Sequence, residues 1–465
     1  MSENHKSHPY IPNSAPAVVE KMLAQIGASS IEELYQTIPQ DLRIDREMDM
    51  PPALESEYQL TRHMNSLLKK NKSGQDCLCF AGAGCAMHYV PAICDEINQR
   101  SEFLTAYAGE PYEDLGRFQA LFEYASMLGE LVECEAVNIP TYDWNQAAAT
   151  SIRMAHRITK RDQILISELI DPDRLSTIEN YCRSALEIVP VKHDSQTGLI
   201  DLADLKAKLS PRSAGFYFET PSFVGTLETQ VAKIADLVRQ AGGISIAGVD
   251  PISLGVVNPP AVMGVDITCG DLQPLGIHMN SGGGQAGFIA TADDPIFVQE
   301  YPSRLFGISK TVRAGEWGFG DILFDDRTSF GARENGKEFV GTASALWGIT
   351  AGVYLALMGP TGMSQLGETI IANANYAKSQ IAKLPGVSVR NPQGAIFKEF
   401  VVDFAGAPVT STQAIDALFE QDIIAGVDLT GKLTGYENCM LICVTEIHTS
   451  QEIDQLTAAL SSILK

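Results

Sequence analysis

Ile246-Ala-Gly-Val-Asp250-Pro-Ile-Ser-Leu-Gly255 is an apolar run that ends in an aspartate and a loop. A second run, Asp266-Ile-Thr-Cys-Gly270-Asp-Leu-Gln273-Pro-Leu-Gly276, ends in a loop with one amide side chain, and the glycine-rich Asn280-Ser-Gly-Gly-Gly284 follows it. Both runs are typical of buried strands. Because ligand crevices of parallel sheets lie at the carboxyl ends of the strands, we expect Asp250 and Gln273 to lie at such a crevice.

An aspartate after one strand and a lysine after the next is the layout by which pyridoxal-phosphate enzymes hold the pyridine nitrogen and the aldehyde. Here Gln273 stands where the lysine is expected, and an amide nitrogen cannot form a Schiff base. The next lysines, Lys310 and Lys337, lie in an irregular region whose spacing does not support that chemistry. Asp250 before a proline is also typical of a turn. The residues therefore predict a cofactor floor without its lysine, with a turn residue or a relic as open alternatives.

The length of 465 residues predicts two or three domains. We expect a helical N-terminal extension over 1–72, a large α/β domain over 73–345, and a linker helix with a small α+β domain over 346–465. Apolar strands alternate with helices in the large part, which predicts a mainly parallel sheet covered on both faces. The candidate strands there are Gln163 to Ser167, Leu186 to Pro190, Ala214 to Phe218, Gly243 to Val249, Ile267 to Gly270 and Ala286 to Thr291. Residues 301–345 are rich in glycine and predict a loop.

The net charge of −23 argues against a nucleic-acid partner, because phosphate binding needs a basic face. An apolar run of about 18 residues, which a membrane span needs, is missing. The N-terminus lacks the apolar core of a secretory signal, so we expect a cytoplasmic protein without a membrane partner. The nine cysteines are odd in number and lie partly in apolar runs, which is typical of reduced thiols. We expect no metal site.

Several further residues could act at the crevice or could be structural. Gly82-Ala-Gly84 before a helix could bind an anion through backbone N–H groups, although a tight turn explains it equally. His88 could be a polar group near a cofactor or a structural hydrogen-bonding residue. Tyr107 and Tyr112 lie in a loop rich in glycine and proline, where they could stack, donate to a carboxylate or phosphate, or pack at an interface.

Taken together, these segments resemble one family, the first (alpha) subunit of the two-chain glycine dehydrogenase (decarboxylating), which is the P-protein of the glycine cleavage system. The matching stretches occur in family order along nearly the whole chain. They are His8-Pro-Tyr-Ile-Pro12, Pro51-Pro-Ala-Leu54, Gly82-Ala-Gly84, His88-Tyr-Val-Pro-Ala92, Arg100-Ser-Glu-Phe103, Thr105-Ala-Tyr107, Leu121-Phe-Glu-Tyr124, Tyr142-Asp143, Asp250-Pro-Ile-Ser-Leu254, Gln273-Pro-Leu-Gly276, Tyr354-Leu-Ala-Leu-Met-Gly-Pro360 and Val444-Thr-Glu446.

The resemblance implies the α/β fold of type I pyridoxal-phosphate-dependent transferases. It implies that a beta subunit carries the lysine and the pyridoxal phosphate, in a two-plus-two heterotetramer. The pair would decarboxylate glycine and pass the aminomethyl group to the lipoyl arm of the H-protein. In this chain, His88, Thr105, Tyr107 and Tyr112 would orient substrate or exclude water at the partner's site. The Asp250 and Gln273 floor would be a pseudo-site.

The chain differs from the family pattern in several segments. Trp144-Asn-Gln-Ala147 stands where the family has Gly-Ala-Thr-Ala, and Cys85-Ala-Met87 stands where it has Ala-Tyr-Asp. Residues 108–116 and 335–339 differ as well. Two alternatives therefore stay open: a paralogous subunit that acts on a different amino acid or carrier, and a non-catalytic scaffold for the partner chain.

Overall fold

The computed structural model describes residues 10–11, 13–46, 48–74, 76–103, 117–279, 285–321, 336–338, 340 and 343–465. The chain forms two compact units, Met1–Asn71 and Lys72–Lys465. The described helices are α1 (Pro16–Ile26), α2 (Glu57–Leu68), α3 (Ala92–Asn98), α4 (Arg117–Val132), α5 (Trp144–Thr159), α6 (Pro172–Cys182), α7 (Leu202–Lys208), α8 (Val231–Gln240), α9 (Pro295–Val298), α10 (Ala345–Ile381), α11 (Ser411–Phe419) and α12 (Ser450–Ile463).

The described strands fall into a large sheet, a smaller sheet and two isolated pairs. They are β1 (Leu78–Cys79), β2 (Ala136–Val137), β3 (Gln163–Ser167), β4 (Glu187–Val191), β5 (Ser213–Thr220), β6 (Ile244–Val249), β7 (Ile267–Asp271), β8 (Gly287–Thr291), β9 (Phe306–Lys310), β10 (Trp317–Asp321), β11 (Ser388–Val389), β12 (Glu399–Asp403), β13 (Ile423–Ile424), β14 (Val427–Asp428) and β15 (Cys439–Cys443).

The N-terminal unit consists of α1, α2 and two short 3₁₀ turns. Pro16 begins α1, where a missing backbone N–H costs nothing, and Gly27 ends it in the left-handed conformation. Ser56 caps α2 by accepting a hydrogen bond from the backbone N–H of Gln59. Within these four described segments no residue is buried, so their stability depends on little apolar packing.

The large sheet has seven strands in the order β2-β8-β7-β6-β5-β3-β4. Strands β7, β6, β5, β3 and β4 are parallel, while β8 runs antiparallel to both of its neighbours. Alternate side chains of β3 lie on opposite faces of the sheet. Ile164 and Ile166 pack with α5 and α6, whereas Leu165 packs with α7 and α8. This confirms the predicted mainly parallel sheet with helices on both faces.

After the large sheet, one feature differs from the sequence prediction and another agrees with it. Residues 301–345 are not all loop, because β9 and β10 pair as an antiparallel hairpin with Trp317 opposite Lys310. Gly318 and Gly320 obscured this strand, because glycine is depleted in strands and is typical of loops. The expected break near Gly359 is present, since Gly359 has non-helical backbone angles ahead of Pro360 inside α10.

The C-terminal part is an antiparallel sheet in the order β11-β12-β15-β14, covered by α11, α12 and the second half of α10. The short strand β1 pairs in parallel with β13 beside this sheet, and Phe80 is buried in the same core. Residues 78–80 therefore contact the C-terminal part of the chain. The domain boundaries proposed from sequence remain a prediction.

Candidate functional site

The carboxyl ends of β5, β6 and β7 meet at one crevice and bring three acidic residues together. Glu219 lies near the end of β5, Asp250 follows β6 and Asp271 ends β7, and all three are buried. The free volume between them is about 40 Å³, whereas small-molecule sites usually measure roughly 300–1,000 Å³. The crevice has the predicted position but not the space for a ring-sized ligand.

Asp250 makes two contacts within the crevice. Its Oδ1 accepts a hydrogen bond from the backbone N–H of Ile252 at 2.9 Å, which is the turn geometry that its position before a proline suggested. Its Oδ2 lies 2.6 Å from the Nζ atom of Lys398, which directly precedes β12 of the C-terminal sheet. Because the side chain of Lys398 is largely buried and that of Asp250 is buried, the two charges neutralise each other with little contact with water.

Gln273 holds the loop after β7 to the segment before α3. Its Nε2 donates to the carbonyl oxygens of Ala86 at 3.2 Å and Ile277 at 3.0 Å. Its Oε1 accepts from the backbone N–H of Ala86 at 3.4 Å. The amide group thus satisfies both its donor and acceptor sides through the protein itself, and a single ammonium group could not replace all three contacts.

A buried arginine fills the side of the crevice next to Asp271. Arg174 of α6 donates to Glu219 at 2.6 Å, and its guanidinium lies 3.7 Å from the ring centre of Trp144. Tyr217 donates its hydroxyl to the same carboxylate at 3.0 Å. Burial raises the pKa of Glu219, and the charge of Arg174 partly offsets that rise. Burial also raises the pKa of Asp271 to about 7.

His88 lies outside this cluster and forms a carboxylate–imidazole pair. Its Nδ1 is 2.8 Å from Oε2 of Glu446, whose Oε1 accepts the backbone N–H of Tyr89 at 2.7 Å. Burial acts to raise the pKa of Glu446, but the hydrogen bonds from His88 and Tyr89 hold it below its ordinary value. The imidazole is almost fully buried, and its Nε2 has no hydrogen-bond partner among the described residues. Nε2 is therefore the free end of an oriented ring.

Gly82-Ala-Gly84 is a turn whose middle N–H group already binds an anionic side chain. Ala83 and Gly84 both have positive φ angles, and Ala83 donates its backbone N–H to Oε1 of Glu399 at 2.7 Å. Thr105, Tyr107 and Tyr112 lie outside the described residues, so their predicted roles remain predictions.

Sequence reasoning missed Arg174, Lys398 and Glu399 as crevice residues, and it gave Glu446 no role. Lys398-Glu399 stands within Ala395-Ile-Phe-Lys-Glu-Phe-Val-Val402. Opposite charges inside such an apolar run signal buried, paired groups, because charged side chains are rarely buried otherwise. Arg174 carries no comparable signal, since a lone arginine in an amphipathic helix is usually exposed.

Two further features of the described part of the chain concern metals and membranes. Its His, Cys, Asp and Glu side chains form no group of three or more that could hold a metal ion. Among its helices, none combines the length and apolarity needed to cross a membrane. All nine cysteines are free thiols.

Comparison with known sequences matches residues 8–460 to the family described as Glycine cleavage system P-protein. A curated relative from Aeropyrum pernix, "Probable glycine dehydrogenase (decarboxylating) subunit 1", is 36% identical and the alignment covers 98% of this chain and 99% of the relative. A protein of the same name from Sulfurisphaera tokodaii is 34% identical with the same coverage.

Comparison with solved structures gives the same picture. An inhibitor-bound glycine decarboxylase (P-protein) of the glycine cleavage system superposes with a TM-score of 0.83 at 28% identity, over 98% of this chain and 100% of that one. A cysteine desulfurase from Escherichia coli superposes at 0.61 with 17% identity, which bears on the fold alone. Such neighbours confirm the predicted type I pyridoxal-phosphate transferase fold.

Proposed function

The chain belongs to the glycine cleavage system P-protein family, and from this premise we propose that it is the first subunit of a glycine dehydrogenase (decarboxylating). A lysine-bearing second subunit would complete the enzyme, decarboxylate glycine and pass the aminomethyl group to the lipoyl H-protein. The observation that carries the proposal is the end-to-end match to relatives named subunit 1 of that enzyme. The two-plus-two stoichiometry and the cytoplasmic location are part of the same proposal.

Pyridoxal phosphate belongs, in this proposal, to the partner subunit. When bound there, it supplies the electron sink that decarboxylation of an amino acid needs. The crevice of this chain does not fit the cofactor, since Gln273 cannot form a Schiff base and Lys398 already neutralises Asp250. No step of the reaction is therefore assigned to this crevice.

His88 is the described residue to which we assign a role toward the partner. Glu446 accepts a hydrogen bond from Nδ1–H, and this fixes the tautomer in which Nε2 can accept a proton or a hydrogen bond. The second oxygen of Glu446 is held by Tyr89, so the carboxylate cannot rotate away without losing that bond. An imidazole fixed in this way can orient a substrate group or move a proton at Nε2.

The segment that contains Thr105, Tyr107 and Tyr112 is the second contribution in this proposal. Hydroxyl groups of threonine and tyrosine can donate to the carboxylate of a small amino acid, and aromatic rings exclude water from it. These three residues lie seventeen to twenty-four positions after His88 in the chain. Support for this assignment is the sequence resemblance quoted above.

The test is reconstitution with the lysine-bearing subunit. The two chains would be co-expressed and co-purified, and glycine-dependent exchange of carbon dioxide would be measured with a lipoyl carrier protein. We expect exchange by the pair and none by this chain alone. A complex that holds the cofactor but ignores glycine would contradict the glycine assignment. A partner that turns glycine over equally well alone would reduce this chain to a scaffold.

His88→Asn then tests the role of the imidazole, with His278→Asn as its matched control. His278 also pairs with a carboxylate, Asp95 at 2.9 Å, but it is exposed. We expect His88→Asn to lower exchange at least about tenfold if the imidazole only positions the substrate. The loss should reach roughly 10²–10⁴-fold if the imidazole transfers a proton. Glu446→Gln should reproduce part of this loss and change the pH profile. Equal activity of the His88 and His278 variants would exclude the role.

A further inference from the structure

Two consecutive side chains of the C-terminal part enter the crevice of the large sheet. Lys398 directly precedes β12 and Glu399 begins it, and their side chains contact Asp250 and Ala83 respectively. The side chains of Lys398 and Asp250 are 11% and 5% exposed. One short segment thus brings a cation and an anion into the same crevice.

The cation pairs with the aspartate that a cofactor's ring nitrogen would need. An aspartate after a strand of this fold pairs with the protonated pyridine nitrogen when pyridoxal phosphate is bound. Here Oδ2 of Asp250 pairs with Nζ of Lys398 at 2.6 Å, and Oδ1 accepts from Ile252. Burial acts to lower the pKa of Lys398, but the acidic groups around it, Asp250 first among them, together outweigh burial and the net shift is upward. Lys398 is therefore charged, and it pairs with Asp250, the residue that would otherwise pair with a pyridinium.

The anion occupies the backbone turn at Gly82-Ala-Gly84. Oε1 of Glu399 accepts the N–H of Ala83 at 2.7 Å. A methyl group added at Gly82 would come within 2.2 Å of that same oxygen, so the glycine is what lets the carboxylate approach. Backbone N–H groups in such turns are suited to bind an anion, and here a side chain of the same protein provides it.

We propose that Lys398 and Glu399 are a built-in occupant of the degenerate cofactor crevice, and that they close it permanently to pyridoxal phosphate. The ammonium group replaces the pyridinium, and the carboxylate holds the turn that could bind an anion. The same two contacts join the C-terminal part to the loops at the edge of the large sheet. The crevice is thus a contact between the C-terminal part and the large sheet, here called the latch, and not a binding site.

The remaining space supports this closure. About 40 Å³ is left beside the pair, and the Arg174–Trp144 stack fills the neighbouring side. A cofactor could enter only by breaking the ion pair and leaving Lys398 without a partner, and an unpaired buried charge is strongly unfavourable. Introducing the missing Schiff-base lysine alone would therefore not restore cofactor binding.

The first experiment measures ligand binding by the full chain without its partner. Pyridoxamine 5′-phosphate is the probe, because it lacks the aldehyde that would react with surface lysines. Equilibrium dialysis should show no saturable binding. Stoichiometric binding that Asp250→Asn weakens would overturn the proposal, because the aspartate would then be free to hold a ring nitrogen.

The second experiment measures how fast each lysine reacts with an amine-modifying anhydride, read by mass spectrometry of peptides. Lys398 should react far more slowly than Lys432, an exposed lysine of the same part. Asp250→Asn should accelerate Lys398 at least about tenfold and leave Lys432 unchanged, since each unit lost from the pKa raises the free amine fraction about tenfold. Circular dichroism checks that the variant is folded.

If Asp250→Asn does not fold, the labelling rates of Lys398 and Lys432 in the wild type still test the proposal. Labelling of Lys398 at the rate of Lys432 would show that the latch does not exist. Neither experiment involves glycine or the partner subunit, so failure of this inference and failure of the proposed function are separate results.

Discussion

Replacing Arg174 by methionine removes the cation from the most buried ion pair of the crevice while keeping a side chain of similar length. Arg174 and Glu219 lie 2.6 Å apart, and their side chains are 3% and 1% exposed. The guanidinium also lies 3.7 Å from the ring centre of Trp144. Methionine keeps the apolar contact with that ring but leaves the carboxylate without its cation.

The expected cost follows from the burial of the pair. Removing one partner of a buried ion pair typically costs about 3–5 kcal/mol, because the other charge stays buried without compensation. Loss of the cation–π contact adds to this, and the hydroxyl of Tyr217, which still donates to Glu219, reduces it. We therefore expect Arg174→Met to lower the free energy of unfolding by about 3–5 kcal/mol at pH 8.

The pH dependence gives a sharper test because its sign is fixed. The pKa of Glu219 in the folded protein is raised by burial, so folding favours the protonated carboxyl and stability falls as the pH rises through that pKa. The charge of Arg174 limits this rise in the wild type. Without it the pKa of Glu219 rises further, so the stability difference between variant and wild type should widen as the pH increases.

Urea unfolding followed by circular dichroism at pH 5 and pH 8 measures both effects. The control is Arg212→Met, which removes an arginine from an exposed pair with Asp162 and should change stability little. The reasoning is refuted if Arg174→Met loses no more stability than Arg212→Met. It is equally refuted if the loss caused by Arg174→Met is larger at pH 5 than at pH 8.

Three other substitutions test separate parts of the account. Gln273→Lys should give no more aldimine absorbance with pyridoxal phosphate than the wild type, and no borohydride-reduced adduct at position 273 by peptide mass spectrometry, because the crevice stays closed. The raised pKa of Asp271 means that folding takes up a proton, so the wild type should lose stability as the pH rises from about 4 to about 7. Asp271→Asn should make this loss smaller, which urea unfolding at several pH values would measure. Gly287→Ala should lower the melting temperature, because its Cβ would lie 2.0 Å from the carbonyl oxygen of Asp143, whereas Gly320→Ala, with open space, should not.

The sheet could be predicted from the sequence because its strands are continuous apolar runs. Gln163–Ser167 is predicted to the residue, and β6 differs from its prediction by one position. The hairpin of β9 and β10 could not be predicted in this way, since Gly307, Gly318 and Gly320 lie within its strands and glycine is depleted in strands. Local patterns thus fixed the elements whose burial is uniform and missed those held by long-range pairing.

The contents of the crevice could be predicted in part. Asp250 and Gln273 follow adjacent strands, so their shared location follows from topology. Lys398 reaches Asp250 across 148 positions of the chain, and although its apolar surroundings signal a buried, paired group, local periodicity does not identify the partner. Glu446 reaches His88 over an even longer separation. The chemistry of the site is therefore decided by the packing of the C-terminal part onto the large sheet.

We propose above all that this chain works as the subunit that lacks its own cofactor site. Glycine-dependent carbon dioxide exchange, measured for this chain, for the lysine-bearing subunit and for the co-purified pair, tests it most directly. The account predicts exchange by the pair, none by this chain, and an aldimine absorbance in the pair that borohydride traps on the partner alone. An aldimine trapped on this chain, or glycine exchange by this chain alone, would contradict it.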